Sequence, residues 1–107
     1  MGDRGARFTE LVGDQADDVV ELLAPLGAVR WKRMFGGAGI FVDDGMFALI
    51  DSGGQLHLKV ADANRDRYEH AGARKHPRMP YYSVPESVRG DDALLLAWAR
   101  ESAELAR

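Results

Sequence analysis

The sequence has no cysteine among its 107 residues. That excludes disulfides, thiol catalysis and cysteine-ligated zinc. Proline is scarce, with four residues, and no internal repeat is present. Collagen-like and low-complexity architectures fall away with them. No apolar run approaches the roughly 20 residues that a membrane-spanning helix needs. Residues 1–10 contain no apolar h-region, and Ala6 stands where a myristoylation signal has Ser or Thr. The expectation is a soluble chain, located in the cytoplasm and not at a membrane. What is present is ordinary for a globular protein: 46% hydrophobic and 29% charged residues. The length suits a single domain over 1–107.

The formal net charge of −3 makes the surface as a whole no magnet for nucleic acid. Its distribution is uneven. Residues 1–27 are net −4, and residues 28–42 are net +3 through Arg30, Lys32 and Arg33. Residues 43–64 are net −3, residues 65–78 net +3, and residues 79–107 net −2. Two basic segments therefore alternate with three acidic ones.

Hydrophobic spacing lays out the elements. Phe8, Leu11, Val12, Ala16, Val19, Leu23 and Leu26 recur every three or four residues, which predicts an amphipathic helix closed by Pro25 and Gly27. Strands are predicted over Val29–Met34, Ala38–Val42, Met46–Ile50 and Gln55–Val60. The Gly36-Gly37 pair breaks the first two apart, Asp44-Gly45 is a hairpin signal, and 51–54 form the next turn. A short helix follows, with Asp62 as its expected N-cap and Gly72 as its stop. Tyr81–Val84 reads as a strand placed at an edge by Pro80. A final helix starts at Asp91 or Asp92 and buries Leu94, Leu95, Trp98, Ser102 and Leu105. The fold class is α+β: an antiparallel sheet of about five strands with helices packed on it, in the order α-β-β-β-β-α-β-α.

The second and third strands are apolar on both faces. Ile40, Val42, Met46, Ala48 and Ile50 form one set; Phe41, Phe47 and Leu49 form the other. Both faces therefore need a cover. A second copy of the chain is the simplest, giving a homodimer, and helices on both faces of one subunit would serve as well.

Several segments invite a chemical reading. Gly36, Gly37 and Gly39 resemble a phosphate cradle, but no third glycine completes the fingerprint and the run enters a strand, so a tight turn is preferred. His57, His70 and His76 share no metal-ligand spacing, and the serines sit in no nucleophile elbow. Asp43-Asp44 and Asp91-Asp92 suit a turn and a helix start. No catalytic residue, metal site or cofactor is expected. The basic strand offers Arg30, Lys32 and Arg33 beside Trp31 for contact with a partner or with phosphates, although the same charges also protect an edge strand. Of Tyr81 and Tyr82, one ring is expected in the core and the other at an interface or in a groove.

Taken together, certain segments resemble the N-terminal domain of the TfoX/Sxy family of competence regulators. They are the run from Val29 to Phe41, with its Arg33-Met34-Phe35-Gly36-Gly37 centre, the runs Gly45 to Ile50 and Leu56 to Val60, Asn64-Arg65, the run Met79 to Pro85, and the run Leu94 to Ala99. The resemblance covers nearly the whole chain. It implies a small α+β domain without catalytic residues, here standing alone without the second, helical domain of fuller members. Those members regulate transcription of DNA-uptake genes, acting with the cyclic-AMP receptor protein at its promoters. The expected function is a non-enzymatic interaction domain, working by contact with a protein of the transcription machinery or by weak DNA contact. The alternative is a small-ligand-binding domain or enzyme with a pocket near the Gly36-Gly37 turn.

Overall fold

A computed structural model describes residues 2–107, with side chains from residue 10 onward. Helix α1 spans Gly2–Leu22 and a single 3-10 turn, Ala24–Leu26, follows it. Four strands come next: β1 (Val29–Met34), β2 (Gly37–Val42), β3 (Gly45–Ile50) and β4 (Leu56–Lys59). Helix α2 (Arg65–His70) and strand β5 (Tyr81–Ser83) precede α3 (Glu86–Arg89) and α4 (Asp92–Ala106). The sheet is an antiparallel meander in the order β1-β2-β3-β4-β5. This is the α+β architecture expected from the hydrophobic pattern, with one short helix, α3, added. At four residues, α3 is too short to leave a periodic signature.

In α1 the buried residues are Val12, Ala16 and Val19, continued by Leu23 just past its end. Leu11, expected on the same stripe, points to solvent, and Phe8 lies outside the described side chains. The helix packs mainly on β1 and β2. Helix α4 lies over β3 and β4. Asp91 caps it, its carboxylate accepting from the Leu94 amide at 3.1 Å. It buries Leu95, Trp98, Ala99, Ser102 and Ala103. Leu94 is exposed and Leu105 only half-buried, so two members of the predicted stripe sit at its margins.

The cap of α2 also differs from the expectation. Asn64, not Asp62, occupies the N-cap, and its side chain instead accepts from the Ala61 amide at 2.7 Å. Asp62 forms an exposed ion pair with Arg65 at 2.7 Å.

The first two hairpin turns each join their strands with a two-residue loop of positive φ. Phe35 and Gly36 connect β1 to β2 at φ 46° and 75°, and Asp43 and Asp44 connect β2 to β3 at 50° and 68°. This is the type I′ geometry whose twist matches that of paired strands. The second turn therefore sits one residue earlier than the Asp44-Gly45 signal, and Gly45 is the first residue of β3. A side chain on Gly45 would collide with the backbone of Ala106, at the end of α4.

A β-bulge between β2 and β3 changes which residues share a face. Ile40 faces Ala48 but Phe41 faces Met46, leaving Phe47 as the extra residue. Phe47 is thereby turned into the core with Ile40, Val42, Ala48 and Ile50, while Met46 moves to the opposite face with Phe41. The strict alternation predicted for this strand places Met46 and Phe47 the other way round.

The core lies between the sheet and all the helices. It contains Val12, Leu23, Phe47, Tyr68, Tyr82 and Trp98 among its buried members. Helices cover this face alone. On the other face Leu49, Tyr81 and His57 are buried by the chain's own residues. Tyr81 reaches from β5 to donate its hydroxyl to the Met46 carbonyl at 2.9 Å. Residues 74–80 fold alongside β5, with an antiparallel bridge between Lys75 and Tyr82. No helix among the described residues is long and apolar enough to cross a membrane.

Candidate interaction surface

Alternation along β1 divides its basic residues. Arg30 and Lys32 project from the helix-free face, whereas Arg33 projects with Trp31 from the other. Trp31 is tied to α1 by its indole N–H, which donates to Asp17 at 2.8 Å. The three cations therefore make no single row, only a pair with a third turned away. Arg30 and Lys32 both lie over the Phe41 ring, at 5.4 and 5.2 Å from its centroid. Arg30 also pairs with Asp44 at 3.2 Å, at the exposed end of the hairpin. Lys32 and Arg33 make no salt bridge with any described residue.

The motif glycines explain how this face is built. A side chain on Gly39 would strike the sulfurs of Met34 and Met46 and approach the Phe41 ring at 3.2 Å. Its absence leaves a floor of two methionines and a phenylalanine, all half-buried and bordered by Arg30 and Lys32. Gly37 passes so close to the Ile50 carbonyl that a β-carbon cannot be placed there. Gly36 occupies the left-handed second position of the turn. These roles are steric at Gly37 and Gly39 and conformational at Gly36, and the run enters a strand.

Phe35 is the anomaly of the turn. A bulky side chain in left-handed backbone costs about 1–2 kcal/mol, and Asn, Asp or Gly is the usual solution. The ring does not recover this through burial, since Phe35 is 52% exposed. It lines an open hollow of about 380 Å³ together with His76, Pro77, Arg78 and Met79. The first basic segment thus meets the second at this turn. The 76–79 loop is held by a set of hydrogen bonds. Lys75 Nζ donates to the carbonyls of His76 and Met79 at 3.0 and 3.2 Å. The Arg78 amide donates to His76 Nδ1 at 3.1 Å, and the His76 amide to the Tyr81 carbonyl at 2.7 Å.

A second hollow, of about 480 Å³, adjoins the first and is polar, with Asp51, Ser52, His57, Arg74, His76 and Ser83 in its wall. His57 is only 5% exposed. Its Nδ1 lies 3.0 Å from the Gln55 carbonyl, and its ring stands edge-on to His76 at 5.7 Å between centroids. Burial pushes its pKa below the ordinary histidine value; the Gln55 carbonyl and Asp51 oppose the shift and His76 reinforces it. Among the described residues, no group of three His, Asp or Glu side chains is placed to hold a metal ion.

Tyr81 and Tyr82 do not line one groove. They are adjacent in β5, so they point to opposite faces, and both are buried. Tyr82 belongs to the core and donates its hydroxyl to Glu69 at 3.0 Å. Tyr81 covers the helix-free face. The loop residues His76 and Met79 and the exposed ring of Phe35 were not singled out as site residues by sequence reasoning. His57 and His76 are nineteen positions apart, and only the pairing of β4, β5 and the 74–80 segment brings them together.

A meander covered by helices on one face, with a cation-bordered apolar floor on the other, defines a small α+β domain. The chain belongs to the TfoX N-terminal domain family, whose model matches residues 21–106. It is also similar to the DNA transformation protein TfoX1 of Aliivibrio fischeri (strain ATCC 700601 / ES114), with 28% identity over 89 residues. That match covers 77% of this chain and 43% of TfoX1, so the chain spans less than half the length of this relative.

Proposed function

We propose that this chain is a non-enzymatic interaction domain of the TfoX type, serving the regulation of DNA uptake by contact with a protein partner through the helix-free face of its sheet. The observation that carries the reading is the floor of Met34, Phe41 and Met46 beneath Arg30 and Lys32. Methionine, aromatic rings and arginine are the residues enriched where proteins meet proteins. The family supports the regulatory setting, and the name of the Aliivibrio relative, a DNA transformation protein, supports the process.

Charge favours protein over duplex as the partner. The chain is net −3, and Arg33 faces away from Arg30 and Lys32. Direct DNA binding is the competing reading, and fluorescence anisotropy with a labelled duplex separates the two. The purified chain and its Arg30/Lys32/Arg33→Ala variant are compared at low and physiological salt. The expected result is no binding at physiological salt and no difference between the two proteins. Salt-sensitive binding that persists at physiological salt and is lost in the variant would overturn the reading, because phosphate contacts carry that signature.

A further inference from the structure

We infer that Phe35 and the 76–79 loop form a docking notch for an apolar side chain carried on an acidic segment of a protein partner. The inference rests on the protein-contact reading and gives that contact an anchor and a partner chemistry.

Strain supplies the first argument. Phe35 sits at φ 46° in a turn position that suits Asn, Asp or Gly, and about half of the residue's surface remains exposed. Neither backbone preference nor burial in the chain accounts for a phenylalanine there. A strained residue held in such a position points to function. A ring on a tight hairpin turn is also rigidly displayed, which suits an anchor that must lose little freedom on binding.

Shape supplies the second. The hollow beside the ring, about 380 Å³, is large enough for one apolar side chain and is lined mainly by Phe35, Pro77 and Met79. Its far wall is fixed in advance by the bonds from Lys75 to the His76 and Met79 carbonyls. Nothing has to fold for the notch to exist.

Charge supplies the third, and selects the occupant. Arg78 stands in the wall of the notch, and Lys32 lies on the helix-free face of the strand that leads into the turn. Neither makes a salt bridge with a described carboxylate. A segment bearing Asp or Glu around an apolar residue complements them, and a basic segment is repelled.

The test uses the whole chain labelled with 15N and two short synthetic peptides. One alternates Glu with Leu around a central Phe; the other has Lys at each Glu position. A short DNA duplex and a dilution series without peptide complete the set. The expected result is amide shifts confined to Phe35–Gly37 and residues 76–79 with the glutamate peptide, and affinity at least about tenfold weaker for the lysine peptide. Phe35→Asn is expected to melt at the same or a higher temperature while losing at least about tenfold in affinity, since Asn fits the left-handed position. Arg78→Glu is expected to reverse the peptide preference. Equal binding of both peptides, no binding of either, or an Asn variant that binds normally would overturn the notch. So would a large drop in the melting temperature of that variant, which would make Phe35 a packing residue. Shifts at the same amides on dilution alone would assign the notch to a second copy of the chain and overturn the acidic segment. If the glutamate peptide fails and the duplex is also unbound, only the notch is lost. If the duplex binds there with steep salt dependence, the protein-contact reading falls with it.

Discussion

The hydroxyl of Ser102 donates to the backbone carbonyl of Lys59 across 2.8 Å, joining the middle of α4 to the last residue of β4. Ser102 is completely buried. The same carbonyl accepts a second, longer bond from the side-chain Nδ2 of Asn64 at 3.3 Å. Ser102→Ala therefore leaves the acceptor with one side-chain partner, and the expected loss is about 1 kcal/mol. That corresponds to a fall of roughly 4–8 °C in melting temperature for a domain of this size. Removing both donors in an Asn64→Ala, Ser102→Ala double variant strips the carbonyl of both side-chain partners. Its loss is expected to exceed the sum of the single variants, which a thermal double-mutant cycle checks.

Two glycines are expected to respond in opposite directions to alanine. At Gly13, inside α1, a β-carbon would meet the Trp31 ring at 3.6 Å, an ordinary contact. Gly13→Ala should gain about 1 kcal/mol from helix propensity. At Gly37 the β-carbon would run into the Ile50 carbonyl, which belongs to the paired strand and cannot step aside. Gly37→Ala should lose about 1–3 kcal/mol or more. Urea denaturation of the two variants decides the matter, and matching shifts in midpoint would refute the steric account.

Much of this architecture was legible in the chain because it is written in local periodicity. The stripe through Val12, Ala16 and Val19, the alternation of Leu56, Leu58 and Val60, and the Asp91 cap each depend on neighbours within a few residues. What escaped depends on pairing. The bulge that turns Phe47 inward and Met46 outward is fixed by β2, since a one-residue offset in register is invisible to either strand alone. Asp43-Asp44 replaced Asp44-Gly45 as the turn because the close approach of Gly45 to α4 commits that glycine to the strand. At the surface, Arg30, Lys32 and Arg33 were legible as a basic strand. Their division between two faces followed from alternation alone. The meeting of Phe35 with the 76–79 loop, and of His57 with His76, needed the fold.

Tyr81 should make the protein sensitive to alkali. Burial pushes its hydroxyl up to about 12, from an ordinary value of 10.0. The unfolded chain then releases this proton first, so stability is complete below pH 10 and is lost as pH rises toward 12. Tyr68, also raised to about 12 by burial, adds a loss of the same sign. Tyr81→Phe removes the Tyr81 share together with its bond to the Met46 carbonyl, which costs about 1 kcal/mol at neutral pH. The melting temperatures of wild type and variant should therefore converge between pH 9 and 11. Parallel curves would show that Tyr81 does not titrate within the fold.

His57 should act at the other end of the pH scale. Its burial disfavours the imidazolium, and the nearby His76 acts in the same direction, while the Gln55 carbonyl and Asp51 act against them. The net shift is downward from 6.5. Once pH falls below that value the unfolded chain binds a proton that the folded ring refuses. More protons are then bound in the unfolded state, so stability falls as pH falls, until the buried ring is itself protonated. Above 6.5 the two states bind equally and His57 contributes no slope. Because the His57 ring stands edge-on to His76, charging the buried ring also sets a cation against that ring in the hollow that Arg74 lines. The loop that carries His76 should then loosen before the core does. His57→Gln keeps a polar side chain at the site and cannot titrate. Its melting temperature should fall less steeply than that of the wild type between pH 7 and 5. Protection factors of the amides at 75, 76, 78 and 79, taken relative to the intrinsic exchange rate at each pH, should fall with acid in the wild type alone. Equal slopes, together with equal exchange in that loop, would place the acid sensitivity of the chain elsewhere.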